Sequence, residues 1–402
     1  MTVTIILAAI ISFAVWLVLW LRPSSFWRTD REPVPSPPDR WPAVTAIIPA
    51  RNEESVIAET IYSLLTQDYP SSLRIVVVDD HSDDRTAEVA NEVGGQSGQK
   101  DQVSVLSAEP LPAGWTGKVW AMHQGLGFAA RPTDTSDPTD PADSPEYLLF
   151  SDADISHGHS AVRELVSRAE AGPCDLVSFM VKLQCRSSAE KLMIPAFVFF
   201  FRMLYPFRGV NDPKHGLAGA AGGTMLVRRD ALDRIGGIES IRGEIIDDCA
   251  LAREVKRGGH RIWLGMSDSS RSTRSYGTLG EIMRMISRTA YTQLGYSPIR
   301  LLICIAGLAI TFIAPPLLVI FTRGWSQILG GAAWLLMSAL YLPMVRFYRQ
   351  SPLWAPLLPL TASIYLWATI VSACRYHFGK SNEWKGRRGG GLVRPEGDDM
   401  SP

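Results

Sequence analysis

The sequence predicts an α/β domain, a mostly parallel twisted sheet with helices on both faces, carried between apolar helices at the two ends of the chain. Three observations lead there. Short apolar runs alternate with helix-patterned segments across residues 43–265. Polar clusters stand directly after three of these runs. Uncharged stretches occupy residues 3–21, 301–321, 325–345 and 353–374, and crossing a bilayer as a helix takes roughly 20 residues.

The elements follow in chain order. Val44-Thr45-Ala46-Ile47-Ile48 is an apolar run closed by Pro49, the pattern of a strand buried on both faces. Residues 54–67 carry Ile57, Ile61, Leu64 and Leu65 at helical spacing. Arg74-Ile75-Val76-Val77-Val78 is a second buried strand, and it runs into Asp79-Asp80. Residues 84–93 pattern as a helix, Val103–Leu106 as a third strand, and Tyr147–Phe150 as a fourth that runs into Asp152-Ala153-Asp154. Repeated strand–helix–strand units build a parallel sheet. Such sheets bind ligands at the carboxyl ends of their strands, where Arg51-Asn52-Glu53, Asp79-Asp80 and Asp152/Asp154 stand. Residues 131–146, rich in Pro, Asp, Thr and Ser, predict a solvated loop.

Residues 1–22 predict an uncleaved membrane anchor. The basic residues Arg22, Arg28 and Arg31 come after the apolar stretch instead of preceding it, unlike a signal peptide. They place residue 22 onward in the cytosol. Residues 43–265 form the cytosolic domain, 266–300 an amphipathic interfacial connector, 301–375 a C-terminal membrane region and 376–402 a basic flexible tail. Pro315-Pro316 predicts that stretch 301–321 is kinked or re-entrant. Three full C-terminal spans would put Arg375, Lys380, Lys385, Arg387 and Arg388 outside, against the positive-inside bias, so one stretch is expected not to cross. Residues 193–207, with Phe197, Phe199, Phe200, Phe201 and Tyr205, suit a segment lying in the bilayer interface. The competing reading is a helix of a hydrophobic core.

Composition narrows the function classes. The 402 residues hold 40 basic and 40 acidic side chains, without the basic excess of a nucleic-acid binder. The five cysteines form no Cys-x-x-Cys pair and no zinc spacing, which suits reduced thiols.

Paired carboxylates are the strongest chemical signal. Asp152 and Asp154 straddle one residue and face the same side of an extended chain. Hard oxygen ligands of this kind suit Mg2+ or Mn2+ on a diphosphate. A lone Asp-x-Asp is more often an ordinary turn; Asp79-Asp80 on a neighbouring strand end weighs against that reading.

These same residues carry a resemblance. Ile47-Ile48-Pro49-Ala50-Arg51-Asn52-Glu53-Glu54 resembles the opening strand of family 2 glycosyltransferases, which have the GT-A fold. Val77-Val78-Asp79-Asp80-His81-Ser82, Trp115-Thr116-Gly117-Lys118, Asp152-Ala153-Asp154, Gly222–Arg229 and Ile246-Asp247-Asp248-Cys249-Ala250-Leu251 resemble that family's later motifs in order. The arrangement of one leading span and a C-terminal apolar block is similar to the hopene-associated subgroup. The resemblance implies an inverting, metal-dependent transfer of a sugar from a nucleotide-sugar donor, UDP-linked, to a lipid acceptor such as a hopanoid or other polyisoprenoid at the inner membrane. It implies that Pro49, Ala50, Arg51, Glu53, Asp80, Lys118 and Asp152 bind the nucleotide, and that Asp154 with Asp152 binds Mg2+ or Mn2+. Gly222, Gly223 and Thr224 stand on the acceptor side. Asp248 is the general base, with Asp247 where the family usually has Glu. A surface lysine is the competing reading for Lys118, and helix capping by residues 247–248 is compatible with catalysis.

Two rival functions fit the residues less well. A processive polysaccharide synthase would carry a Gln-x-x-Arg-Trp motif, and residues 286–291 read Ile-Ser-Arg-Thr-Ala-Tyr instead. A nucleotide-binding transporter or receptor would carry polar residues along a path through its spans, and the four stretches have no acidic residue.

Overall fold

The computed structural model describes residues 2–22, 26–96, 102–130, 145–378, 383–384 and 387–388. Residues 131–144 of the expected loop and most of the basic tail, Lys380 and Lys385 included, lie outside the described residues.

The chain starts with helix α1 (Thr2–Leu21), then runs β1 (Val44–Ala50), α2 (Ile57–Leu65), β2 (Leu73–Asp79), α3 (Thr86–Gln96), β3 (Val103–Ser107), α4 (Gly117–Ala129) and β4 (Tyr147–Ser151). It continues through β5 (Ile155–Ser156), α5 (Ala161–Ala171), β6 (Leu176–Lys182), α6 (Ser188–Leu204), α7 (Phe207–Asn211), β7 (Thr224–Arg228) and α8 (Arg229–Arg234). Then come α9 (Asp247–Arg257), β8 (Ile262–Ser272), α10 (Leu279–Gln293), α11 (Pro298–Leu308), α12 (Ala314–Phe321), α13 (Trp325–Phe347) and α14 (Leu358–His377). Two compact units result. One holds β1–β8 with α2–α5, α8 and α9; the other holds α1, α6, α7 and α10–α14.

The sheet unit has the strand order β3-β2-β1-β4-β7-β6-β8-β5. β3, β2, β1 and β4 are mutually parallel neighbours, as their apolar runs predict. Ile47, Ile48, Val76, Val77, Val78, Leu148 and Leu149 are all buried, so these strands read as continuous rather than alternating apolar runs. The chain steps β1→β2→β3 in one direction and then returns past β1 to β4. Right-handed crossovers therefore put α2 and α3 on one face and α4 on the other. The remainder of the sheet is mixed: β7 is antiparallel to β4 and β6, β6 is parallel to β8, and β5 is antiparallel to β8. Between β6 and β7 the chain passes through α6 and α7, which belong to the other unit. No crossover helix returns it to the same end of the sheet, and β7 runs the opposite way.

In the helical unit, four helices among the described residues are long and apolar enough to cross a membrane: Val3–Leu21, Pro298–Phe321, Trp325–Phe347 and Pro352–His377. The second stays helical through Pro315-Pro316. α11 passes through a π-helical turn, Ala309–Ile313, directly into α12. Pro315 has no N–H for the Thr311 carbonyl four residues earlier. The Trp16 indole N–H of α1 donates to that carbonyl instead, at 2.8 Å, and its ring meets Phe312 edge-on at 5.2 Å. Apolar surroundings make such satisfaction obligatory. Gly330 of α13 lets α12 approach closely, since a Cβ there would stand 2.6 Å from Leu318 Cβ. α6 corresponds to the stretch read as interfacial. It starts with a capping box between Ser187 and Glu190. It buries Met193, Ile194, Val198 and Phe199, with Phe199 against Tyr341 and Phe200 against Phe312 and Tyr365. The core-helix reading describes it better, because its aromatic side chains find partners on α11–α14.

Candidate active site

The carboxyl ends of β2, β1 and β4 lie side by side and form the floor of the site. β1 stays paired with β2 to its end, Ala50↔Asp79, while its ladder with β4 stops at Ile47↔Phe150. Pro49 and Ala50 are buried in this extension. The turns after β1 and β2 are stitched together. The Arg51 guanidinium donates to the Asp80 carbonyl and, at 2.8 Å, to the His81 carbonyl. The Asn52 N–H donates to Ser82 Oγ at 3.0 Å, and Asn52 Oδ1 accepts from the Asp83 N–H at 2.8 Å. Asn52 and His81 both sit at left-handed φ values, 52° and 53°, a conformation concentrated at functional turns. Asp80 is fully buried and its N–H donates to the Ala50 carbonyl at 2.8 Å.

Lys118 joins the two halves of the site. It stands in the first turn of α4, where Nζ lies 2.8 Å from Asp152 Oδ1 and 2.9 Å from Asp247 Oδ2. Burial alone would lower its pKa; the Asp152 and Asp247 carboxylates outweigh that and raise it, so it stays charged. The surface-lysine reading therefore fails. Strand-end carboxylates and the start of α9 face a single ammonium.

α9 begins at Asp247 with Ile246 at its N-cap, and no side chain caps it. Asp247 and Asp248 occupy the first helical turn, where the helix dipole favours negative charge. Asp248 accepts from the Gly222 N–H through Oδ2 at 2.8 Å and from its neighbour Cys249 N–H through Oδ1 at 2.7 Å. Two backbone donors thus fix the carboxylate plane. Burial, then the neighbouring Asp247 carboxylate, push its pKa up to about 6, against the opposing pull of Lys118 and the two N–H groups. A carboxylate poised near neutral pH is suited to taking a proton. Gly222 packs closely against both side chains: a Cβ would stand 3.3 Å from Asp248 Oδ2 and 3.4 Å from Lys118 Nζ. Gly223 and Thr224 turn away from these carboxylates. A Cβ on Gly223 would meet Ile155 and Val181, and the buried Thr224 hydroxyl donates to the Gly223 carbonyl.

Arg274, just past the end of β8, escaped the sequence reading. Its Nε donates to Asp154 Oδ2 at 2.8 Å, and its Nη2 donates to both Glu53 carboxylate oxygens at 2.6 Å. Burial would lower the guanidinium pKa; Asp154 and then Glu53 overcome it and raise it. Ser272 Oγ also donates to Asp154 Oδ2, at 3.3 Å, and the Thr273 N–H donates to the Asp154 carbonyl at 2.7 Å. His157 was likewise missed. It is buried, its Nε2 lies 2.8 Å from Ser151 Oγ, and its N–H donates to Ser63 Oγ at 3.0 Å, which braces the turn holding Asp152 and Asp154. Burial pushes its pKa down to about 4, so it is neutral at pH 7.

The donor set fits a hard divalent cation. Asp152 and Asp154 are carboxylates one residue apart at a strand end, and each holds a cationic side chain, Lys118 or Arg274. No cluster of three or more His, Cys, Asp or Glu side chains suited to a metal occurs among the described residues. An ion here would complete its shell with water and substrate phosphates, the habit of Mg2+ and its relatives.

Residues 45–236 match the family described as glycosyl transferase family 2. Among curated proteins, it is 28% identical over 218 residues to the "Probable glycosyltransferase YdaM" of Bacillus subtilis, covering 54% of this chain and 45% of that protein. It is 29% identical over 131 residues to the "4,4'-diaponeurosporenoate glycosyltransferase" of Staphylococcus haemolyticus, covering 32% of this chain and 28% of that protein. The chain thus spans less than half the length of these curated relatives. Among solved structures, it resembles the mannosyltransferase PcManGT of Pyrobaculum calidifontis in complex with GDP-Man and Mn2+. That match has a TM-score of 0.56 and 17% identity, covering 92% of this chain and 98% of that one. The sheet is GT-A-like, and β2, α4, β4, β7 and all of β1 but Val44, which carry the first five motifs, lie within the matched residues. Asp247 and Asp248 lie just beyond them.

Proposed function

We propose that this protein is a membrane-bound inverting glycosyltransferase that moves a sugar from a nucleotide-sugar, UDP-linked, to a lipid acceptor of the polyisoprenoid class, hopanoids included. One observation carries the reading: Lys118 bridges Asp152 and Asp247, so the donor-side carboxylates and Asp248 share a single site. The diaponeurosporenoate-named relative and the four apolar helices favour a lipid acceptor.

In this mechanism Asp80 and the turn at Pro49, Ala50 and Arg51 receive the nucleotide base, with Glu53 and Asp152 on the ribose side. Asp154, assisted by Asp152, would hold Mg2+ or Mn2+, as the PcManGT complex holds Mn2+. When bound, such a cation neutralises charge on the departing diphosphate. Asp248 takes the proton of the acceptor hydroxyl as its oxygen attacks the anomeric carbon from the face opposite the leaving nucleoside diphosphate. Lys118 pairs with Asp247, and the Asp247 carboxylate favours proton uptake by Asp248. The sheet unit is on the cytoplasmic side of the inner membrane, with basic residues Arg22, Arg28 and Arg31 following the first apolar helix. Residues 1–22 anchor the chain, 43–265 form the catalytic domain, 266–300 connect it to the membrane region 301–375, and 376–402 form the tail.

The test is incubation of purified protein with a panel of labelled nucleotide-sugars and a membrane lipid extract. Label extractable with the lipids is the expected result. Label in a growing water-soluble polymer would favour a processive synthase, and no transfer from any donor would end the proposal.

A further inference from the structure

Arg274 ties up the carboxylate assigned to the metal. We propose that Arg274 is an internal counter-ion that occupies Asp154 and Glu53 in the donor-free enzyme and is exchanged, on loading, from Asp154 to the donor's diphosphate. The proposal rests on the reading of the site as a nucleotide-sugar site. Its grounds are geometric. Asp154 Oδ2 accepts from both Arg274 Nε, at 2.8 Å, and Ser272 Oγ, at 3.3 Å. Two donors occupy Oδ2, so a cation could approach Asp154 only through Oδ1, against the charge of the adjoining guanidinium; moving the guanidinium away therefore favours metal entry. The guanidinium is held at its other end by Glu53 alone among these carboxylates, through Nη2 at 2.6 Å to both oxygens. Breaking only the Asp154 contact leaves the side chain hinged on Glu53, with Nε released. Its side chain is also about one-third exposed, at 32%, whereas Asp154 is 13% exposed and Glu53 10%, so the guanidinium has room to move where they do not.

The charges explain why such a device is useful. Glu53 and Asp154 without a cation between them would repel each other at the floor of the site. With Arg274 between them half of that charge is offset before any substrate arrives, and the divalent cation binds poorly alone. A cation arriving with its diphosphate brings a compensating anion for the displaced guanidinium. Metal and donor then bind together better than either does separately, a coupling that is reciprocal by linkage.

The experiment measures Mn2+ binding by electron paramagnetic resonance on the full-length protein in detergent, with and without UDP or GDP. Wild type is compared with Arg274→Gln, and melting temperatures check that the variant is folded. The proposal expects Arg274→Gln to bind Mn2+ alone about tenfold or more tightly, and to bind the Mn2+–nucleotide pair about tenfold more weakly than wild type. A residue that merely braces the fold would move both affinities in the same direction. Arg274→Lys, which keeps the charge but not the forked donor, should fall between the two in both arms. Equal Mn2+ affinity for Arg274→Gln and wild type, or weakening in both arms, overturns the exchange and leaves the site reading standing. If wild type binds no Mn2+ with either nucleotide, the site reading and the exchange fall together.

Discussion

Replacing Asp248 by Asn keeps the shape of the side chain and removes its ability to take a proton. Two backbone N–H groups, from Gly222 and Cys249, converge on the Asp248 carboxylate at 2.8 and 2.7 Å. An amide offers one oxygen, so one of these donors would face an NH2 group, at a cost of about 1–3 kcal/mol. Loss of the buried charge beside Asp247 offsets part of that, and the variant should fold. Turnover should fall by roughly 10² to 10⁴, the usual contribution of a positioned base. Donor affinity should be retained, because Asp80 and Asp154 stand on other strand ends. The pH dependence adds an independent check. In wild type, kcat/KM should rise with pH through about 6 as Asp248 loses its proton, and the variant should lack that limb. Steady-state kinetics from pH 5 to 8, paired with donor titration by calorimetry, gives both readouts. Normal turnover in Asp248→Asn, an unchanged acid limb, or loss of donor binding as the main defect would refute the assignment.

Asp80→Asn should show the opposite pattern, a weakened donor complex with turnover at saturation less affected, read by the same titration. Lys118→Met should lower stability by about 3 kcal/mol or more in denaturant unfolding, because it strands two carboxylates that share one ammonium. It should also move the acid limb of kcat/KM upward, since Asp248 loses a nearby positive charge; an unmoved limb would separate the lysine from the base. Excess chelator, or Asp154→Ala, should abolish transfer, and full activity under either condition would remove the metal from the account. A reporter fused to the C-terminal tail should be active in the cytosol, since Arg375, Lys380, Lys385, Arg387 and Arg388 follow the last apolar stretch; activity only outside would mean that all four apolar helices cross.

The placement of the acidic pairs was legible in the sequence because it is local. Asp79-Asp80 and Asp152/Asp154 follow buried apolar runs, and a parallel strand that ends in acid places the acid at the ligand edge. Asp248 was legible for the same reason, through its position at the start of a helix. What sequence hid were pairings set by tertiary contact. Arg274 is far along the chain from Glu53 and Asp154, and an arginine after a polar run such as Ser267–Thr273 has no pattern that names its partner. The reversal of β7 was hidden because direction depends on where the chain returns, not on the composition of Thr224–Arg228. The continuity of α11 and α12 was hidden because the carbonyl freed by Pro315 is satisfied by Trp16, from the other end of the chain.

The anomeric configuration of the product bears most directly on the central claim, that Asp248 assists a single direct displacement. With an α-linked nucleotide-sugar donor, proton NMR of the isolated glycolipid should show the β linkage. An α-linked product would mean retention, and would contradict the single-base mechanism built on Asp248.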